Sequence, residues 1–156
     1  MTEKKKDTGI KIVAENRKAR HNYFIESHFE TGMVLKGTEV KSLREGKANL
    51  SDSYAIMKNG EMFLLNTHIP PYMTIRENHD PLRTRKLLLN RSELDKIWAL
   101  ADLKGNSLIP LKIYFKNGKA KVEIGIGKGK KLFDKRESTK ERDANRQMDR
   151  LKRITR

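Results

Sequence analysis

The chain contains no cysteine, which excludes a disulfide framework and a thiolate metal site and makes a reducing cytosol the natural setting. No apolar run approaches the roughly 20 residues that a membrane-spanning helix needs, so no membrane partner is expected. The opening MTEKKK is charged, but no apolar stretch stands behind it, and a signal peptide is not expected. Four histidines, His21, His28, His68 and His79, are scattered without the spacing of a metal site. Structural or surface roles are expected for each, with neither a metal nor another cofactor. The run GIGKGKK (125–131) fails both phosphate-loop templates: a Walker motif would need Gly in place of Ile124 and Ser or Thr in place of Lys131, and a dinucleotide fingerprint would need Gly in place of Lys130. Its glycines read instead as the end of a strand, with Gly127 and Gly129 as a flexible exit. Carboxylate pairs such as Glu39 with Glu45, or Asp95 with Asp102, fall among lysines on helices, where a solvated ion-pair role suffices. Nothing here commits the chain to catalysis, and no enzyme is expected.

What is present is positive charge. In 156 residues, 35 Lys and Arg stand against 20 Asp and Glu, a formal net charge of +15, which points to a polyanionic partner. The length suits one ordinary domain, but both ends are too polar to join a packed core. The expected organisation is therefore a flexible basic segment at 1–10, a packed domain at 11–127 and a basic tail at 128–156.

Two KNG triplets mark antiparallel hairpins closed by Asn-Gly turns. Around Asn117-Gly118, pairing sets Ile113 opposite Val122, Phe115 opposite Ala120 and Leu111 opposite Ile124 on an apolar face. Lys112 opposite Glu123 and Tyr114 opposite Lys121 then form a solvated face, open to a ligand. Around Asn59-Gly60, the pairs Ile56–Phe63, Tyr54–Leu65, Ala55–Leu64 and Met57–Met62 make both faces apolar, as in a buried strand pair. Further strands are expected at YFIESHF (23–29), GMVLK (32–36) and, after a turn at Asp80-Pro81, RKLLLN (85–90). Several short, closely spaced strands imply a barrel.

Helices are few. GTEVKSLREG has Thr38 as N-cap, Glu39 in the first turn and Gly46 just past its end. SELDKIWALADLKG starts at a Ser92 cap, carries Leu94, Ile97, Trp98 and Ala101 at helical spacing, and stops at Gly105, which makes Trp98 a core anchor. The tail has a weaker pattern, with Ala144, Met148 and Leu151 on one side of a notional helix and Arg142, Arg146, Arg150 and Arg153 on another. Three such apolar residues cannot offset ordering costs of about 1 to 2 kcal/mol per residue. The expectation is a tail disordered alone and helical on a partner.

Basic clusters lead into aromatic or strand segments. NRKARH, with Arg17, Lys18, Arg20 and His21, runs into Tyr23 and Phe24, and RTRK, with Arg83, Arg85 and Lys86, runs into a strand; Lys41 is a further basic candidate. Cations neutralise phosphates and aromatic rings stack on splayed bases, so this combination suits RNA. A general OB-type single-strand RNA-binding protein or RNA chaperone would answer to the same features, and an RNA-processing nuclease would rest only on basic surface and available carboxylates.

The segments NRKARHNYFIE, LKGTEVKSLREGKANLSDSYA, DPLRTRKLLLN and LIPLKIYFKNGKAKVEIGIGKGKKLFDKRE, in this order and over nearly the whole chain, closely resemble the small protein B (SmpB) family of bacterial tmRNA-binding (SsrA-binding) proteins. The resemblance implies a mainly β fold, an OB-like antiparallel β-barrel with accessory short helices and a C-terminal tail. It implies a cytoplasmic binding protein of trans-translation, without catalysis of its own. Such a protein holds the tRNA-like domain of tmRNA, reaches the A site of stalled ribosomes, travels with elongation factor Tu and alanylated tmRNA, and acts as a monomer. It assigns RNA contacts to Asn16, Tyr23, Glu30, Leu88 and Lys121. It assigns the tail to the ribosome, with Asp134, Lys135 and Arg136 at the decoding centre and the remainder in the empty mRNA channel. Lys130, Lys131, Arg142, Arg146, Arg150 and Arg153 supply the tail's cations. About 20 helical residues at 1.5 Å each give that tail roughly 30 Å of reach. Many members have His before the DKR triplet where this chain has Phe133, which keeps ring stacking but excludes an imidazole contact.

Overall fold

A computed structural model describes the backbone of residues 9–73, 76–103, 105–130 and 132–154, and within the last stretch the side chains of 136 and 139–151. The elements run β1 (Ile10–Glu15), α1 (Ala19–Asn22), β2 (Tyr23–Met33), α2 (Gly37–Arg44), β3 (Tyr54–Lys58), β4 (Glu61–Leu65), β5 (Arg85–Leu88), α3 (Arg91–Ala101), β6 (Asn106–Lys116), β7 (Lys119–Gly129) and α4 (Leu132–Ile154). Every strand pairing is antiparallel. The order β1-β6-β3-β4-β5-β2-β7 closes through a further β6–β7 pairing, so the mainly β barrel expected from the strand spacing is the fold. Closure pairs both edges of the strands in the ring, and β1, which pairs with β6 alone, is left as the edge strand.

The two Asn-Gly hairpins form as read. Asn59 and Asn117 both have φ of 52°, followed by Gly60 at 75° and Gly118 at 77°, the left-handed pair that a two-residue hairpin turn needs. The register of β3 on β4 matches residue for residue. Only one face of that hairpin is deeply buried, however: Ala55, Met62 and Leu64 lie in the core, whereas Tyr54 is 42 % exposed. In the β6–β7 hairpin, Ile113 faces Val122 and Tyr114 faces Lys121, but Ile124 pairs with Pro110 because the ladder slips between Pro110 and Lys112. Leu111 is the extra residue of a bulge, and bulges bend the strand that carries them. The bend lets β6 serve two neighbours, β3 through Leu108 and β1 through its last residues.

Other expectations are corrected. YFIESHF and GMVLK are not two strands, since β2 runs unbroken through Gly32 to Met33. β1, with the sequence IKIVAE, and the four-residue α1 are further elements that no expectation named. The N-cap of α2 is Lys36, not Thr38: Glu39 Oε1 accepts from the Lys36 N–H at 2.9 Å, while Thr38 meets His79 instead. His79 Nε2 donates to the Ile69 carbonyl and its Nδ1 accepts from the Thr38 hydroxyl, each at 2.8 Å, so this histidine is structural. The cap of α3 is Asn90 rather than Ser92. On α3 it is Ile97 that is fully buried, and Trp98 is 52 % exposed, so Trp98 is not the core anchor.

Glu39 is also not solvated. It is fully buried, receives Arg83 Nη2 at 2.6 Å and is bonded by Arg85 Nε, while Arg85 Nη1 donates to the Thr67 carbonyl at 2.7 Å. Buried charge persists only when paired and hydrogen-bonded throughout, and this cluster meets that condition between α2 and β5. The main core joins Leu43, Leu50, Met62, Leu64, Leu87, Ile97, Ile113, Val122, Ile124 and Ile126.

The glycine run is not a flexible exit. β7 continues through Gly129, two residues past the expected end of the barrel domain, and pairs with Tyr23 there. A Cβ at Gly127 would lie 2.1 Å from the Phe24 carbonyl oxygen, so the residue is required by the close approach of β2 and β7. In the tail, the helical conformation foreseen for a bound state is the one held here, as α4. Residues 1–8 of the expected N-terminal segment lie outside the described residues.

Candidate nucleic-acid interface

Directly opposed residues of antiparallel strands project from the same face of a sheet. The register therefore draws one row across five strands: Ile12 opposite Tyr114, Tyr114 opposite Lys121, Lys121 opposite Gly32, and Gly32 opposite Leu88. The next row places Lys112 beside Glu123 and Glu123 beside Glu30. Glu30, Leu88 and Lys121, remote from one another in sequence, thus meet on one outer face. Leu88 is 50 % exposed and Ile12 48 %, which removes the reading of Leu88 as core. Gly32 contributes no side chain between Lys121 and Leu88, and a Cβ there would come within 3.3 Å of Leu88 Cβ.

The polar groups of this face are ordered. Tyr114 Oη donates to Glu30 Oε2, and Lys116 Nζ reaches the same oxygen at 3.4 Å. The Tyr114 hydrogen bond, helped by Lys116 and Lys121 against the upward push of burial, holds the Glu30 carboxyl below the usual carboxylate range. Burial, then the bonded carboxylate, pushes the Tyr114 phenol well up, so it remains a donor. Glu123 takes His28 at 2.9 Å and Lys112 at 3.4 Å. The face read from sequence as simply solvated is thus braced by Tyr114, which is only 4 % exposed.

The basic loop adjoins this face. The Asn16 N–H donates to the Leu111 carbonyl at 2.7 Å and its side-chain amide to the carbonyls of Pro110 at 3.1 Å and Leu50 at 3.4 Å. Asn16 therefore latches the loop to the β6 bulge, and only its Oδ1 remains for other partners. The latch presents exposed Arg17, Lys18 and Arg20. Arg17 and Arg20 line a shallow depression of about 260 Å³ with Leu111, Lys112 and Glu123. Tyr23 lies on the same side, opposite Gly129, half-buried in a small second core of Ala19, Ile109, Leu111 and Ile25. Gly125, Gly127 and Gly129 alternate on that side, and their lack of side chains makes room for this packing.

Other expected contacts fall elsewhere. Arg85 is withdrawn: period 2 turns Arg85 and Leu87 inward and Lys86 and Leu88 outward, and the Arg85 guanidinium is fully buried against Glu39. Arg83 is committed to Glu39 and to the Val34 carbonyl at 3.1 Å. Lys86 pairs with Glu61 at 2.9 Å, and Lys41 Nζ stands 5.4 Å from the Tyr72 ring. In the tail, Lys130 Nζ lies 4.9 Å from the Phe24 ring and donates to the Arg20 carbonyl at 3.0 Å. Arg142 Nη2 donates to His21 Nδ1 at 2.7 Å, bringing α4 against α1. Arg136, Arg146 and Arg150 are exposed. Lys131 and the side chains of Phe133, Asp134, Lys135 and Arg153 lie outside the described residues. Sequence reading placed Tyr114, Lys112 and Glu123 on the face open to a ligand but did not name Tyr114 as the partner of Glu30. Their strand pairing was legible, but the approach of Glu30 to Tyr114, 84 residues away, is not a local signal. Among the described residues, no group of three His, Cys, Asp or Glu is placed to hold a metal, and no helix is long and apolar enough to cross a membrane.

The family model described as SmpB protein matches residues 13–154. The chain is 59 % identical over 141 residues to the SsrA-binding protein of Geobacter sulfurreducens, covering 90 % of this chain and 92 % of that one. It is 56 % identical over 141 residues to the SsrA-binding protein of Bacillus subtilis, covering 90 % of each. Among solved structures, a chain described under "tmRNA-SmpB: a journey to the center of the bacterial ribosome" aligns with a TM-score of 0.67 at 47 % identity, covering 81 % of this chain and 93 % of that one.

Proposed function

The chain belongs to the SmpB family, and we propose on that premise that it is a tmRNA-binding factor of trans-translation whose outer β-face holds the tRNA-like domain and whose tail acts in the ribosome. The observation that carries this reading is the convergence of Glu30, Leu88 and Lys121 on one face, continued by Arg17 and Arg20. Together they supply three parts of RNA recognition. Lys121, Arg17 and Arg20 neutralise phosphates, Leu88 packs on a sugar or base face, and Glu30 accepts from a base or ribose donor. Asn16 and Tyr23 act mainly by fixing the loop and the start of β2, with Asn16 Oδ1 left for RNA.

In the same proposal residues 128–156 are the ribosome-directed part, with Asp134 to Arg136 at the decoding centre and the arginines of α4 along the mRNA path. The protein works in the cytoplasm as a monomer, with elongation factor Tu delivering the alanylated RNA complex. The test is selectivity. Tight, saturable binding to a tRNA-like domain with an intact elbow, in excess of tRNA and of unstructured RNA, is expected; equal affinity for all three would replace this reading with a general single-strand RNA-binding protein. Deleting the residues after Gly129 should leave RNA binding nearly intact and abolish tagging of stalled peptides, and loss of both, or of neither, would contradict the two-part design.

A further inference from the structure

We infer that Tyr114 is a positioning residue for RNA recognition: it fixes the Glu30 carboxylate so that Oε1 is presented as an acceptor for one donor group of the RNA, a base N–H or a ribose 2′-hydroxyl. The inference rests on the proposed RNA-binding role of the outer face. Tyr114 is almost fully buried, so its ring is held by packing and its hydroxyl has one direction to point. That hydroxyl and Lys116 both engage Oε2, while the side chain of Glu30 as a whole stays 40 % exposed. An ionised carboxylate is acceptor-only and repels phosphate; the other carboxylate of this face, Glu123 beside Glu30, is already taken by His28 and Lys112, so among Lys112, Lys116 and Lys121 it is Glu30 that selects against bare backbone and for a donor. A carboxylate on a freely rotating side chain would lose rotamer entropy on binding; one already clamped does not.

The test is a double-mutant cycle of Tyr114→Phe and Glu30→Ala, read as affinity for a tRNA-like domain between pH 4 and 8. Tyr114→Phe should weaken binding about ten-fold, equivalent to the 1.4 kcal/mol of one charge-assisted hydrogen bond, and should have no effect when Glu30 is already Ala. Because the Tyr114 bond is the largest of the interactions that lower the Glu30 carboxyl, ahead of Lys116 and Lys121, its removal should also move the Glu30-dependent acid limb of the binding profile to higher pH. Equal losses in both backgrounds, with an unmoved acid limb, would overturn the positioning role. Unchanged affinity for Glu30→Ala would instead remove Glu30 from the proposed RNA face itself. Single 2′-deoxy substitutions and inosine-for-guanosine substitutions along the RNA identify the donor: one position should lose its sensitivity in Glu30→Ala, and the absence of any such position in both series would overturn the acceptor assignment.

Discussion

Glu39 shows how much one side chain can settle. Two arginines converge on it, Arg85 fully buried and Arg83 partly exposed, so Glu39→Ala leaves the buried Arg85 guanidinium without its counter-ion. The expected loss is about 3 to 5 kcal/mol, measured by urea denaturation. Burial pushes the Glu39 carboxyl up, but the Lys36 N–H, Arg83 and Arg85 outweigh it and hold the group below its ordinary 4.5. A carboxyl lowered in the folded state gives stability that is complete above its unfolded value and is lost as pH falls through the folded value. The wild type should therefore weaken on acidification below about pH 4.5, and Glu39→Gln, already destabilised, should show a shallower acid limb. On α3, Ile97→Ala should cost about 2 to 5 kcal/mol as a fully buried truncation, whereas Trp98→Ala should cost clearly less because half of the indole is in water. A larger loss at Trp98 would restore it as the core anchor.

Among the elements, β6 and β7 organise the rest. The Leu111 bulge bends β6 so that one half closes the barrel and the other takes β1, and the same bulge receives the carbonyl-seeking Asn16 that orders the arginine loop. β7 supplies the glycine side of the packing beneath α1. A Cβ at Gly127 meets the Phe24 backbone, while one at Gly129 finds Tyr23 Cε1 at 3.9 Å, an ordinary contact. Gly127→Ala should thus destabilise by about 1 to 3 kcal/mol and Gly129→Ala should be near neutral in the same denaturation assay. Equal, small effects would return both glycines to the role of a flexible exit. α4 carries its apolar residues outward: Met148 and Leu151 are 57 % and 59 % exposed, so its helical form gains little from the barrel and suits a surface that covers this face.

For the whole molecule, the +15 net charge makes association with RNA a salt-dependent process in which each neutralised phosphate releases counter-ions. Lys121→Ala should weaken RNA binding and reduce the slope of log affinity against log salt by about 1. Affinity titrations from low to physiological salt measure this, and an unchanged slope would remove Lys121 from phosphate contact. The charge is distributed unevenly: Arg83 and Arg85 serve the interior, while Arg17, Arg20, Lys112, Lys116 and Lys121 gather along one outer face. Net charge therefore points to the kind of partner, and sheet register shows which cations share the face proposed for it.

By itself the sequence determined what local pattern can carry: the two Asn-Gly hairpins, the period-2 faces of β6 and β7, the barrel class, and the polyanion-seeking charge. The motif order determined the family. It could not determine which cations stay outside, because Arg85 and Lys86 look alike until β5 is paired, and period 2 acquires an inside only when the barrel closes. Nor could it locate the bulge at Leu111, whose need arises from β6 serving two neighbours, or the clamp of Tyr114 on Glu30, which exists only because β2 and β6 both border β7. These were decided by the tertiary structure, since burial and long-range register are properties of the closed sheet and of no segment alone.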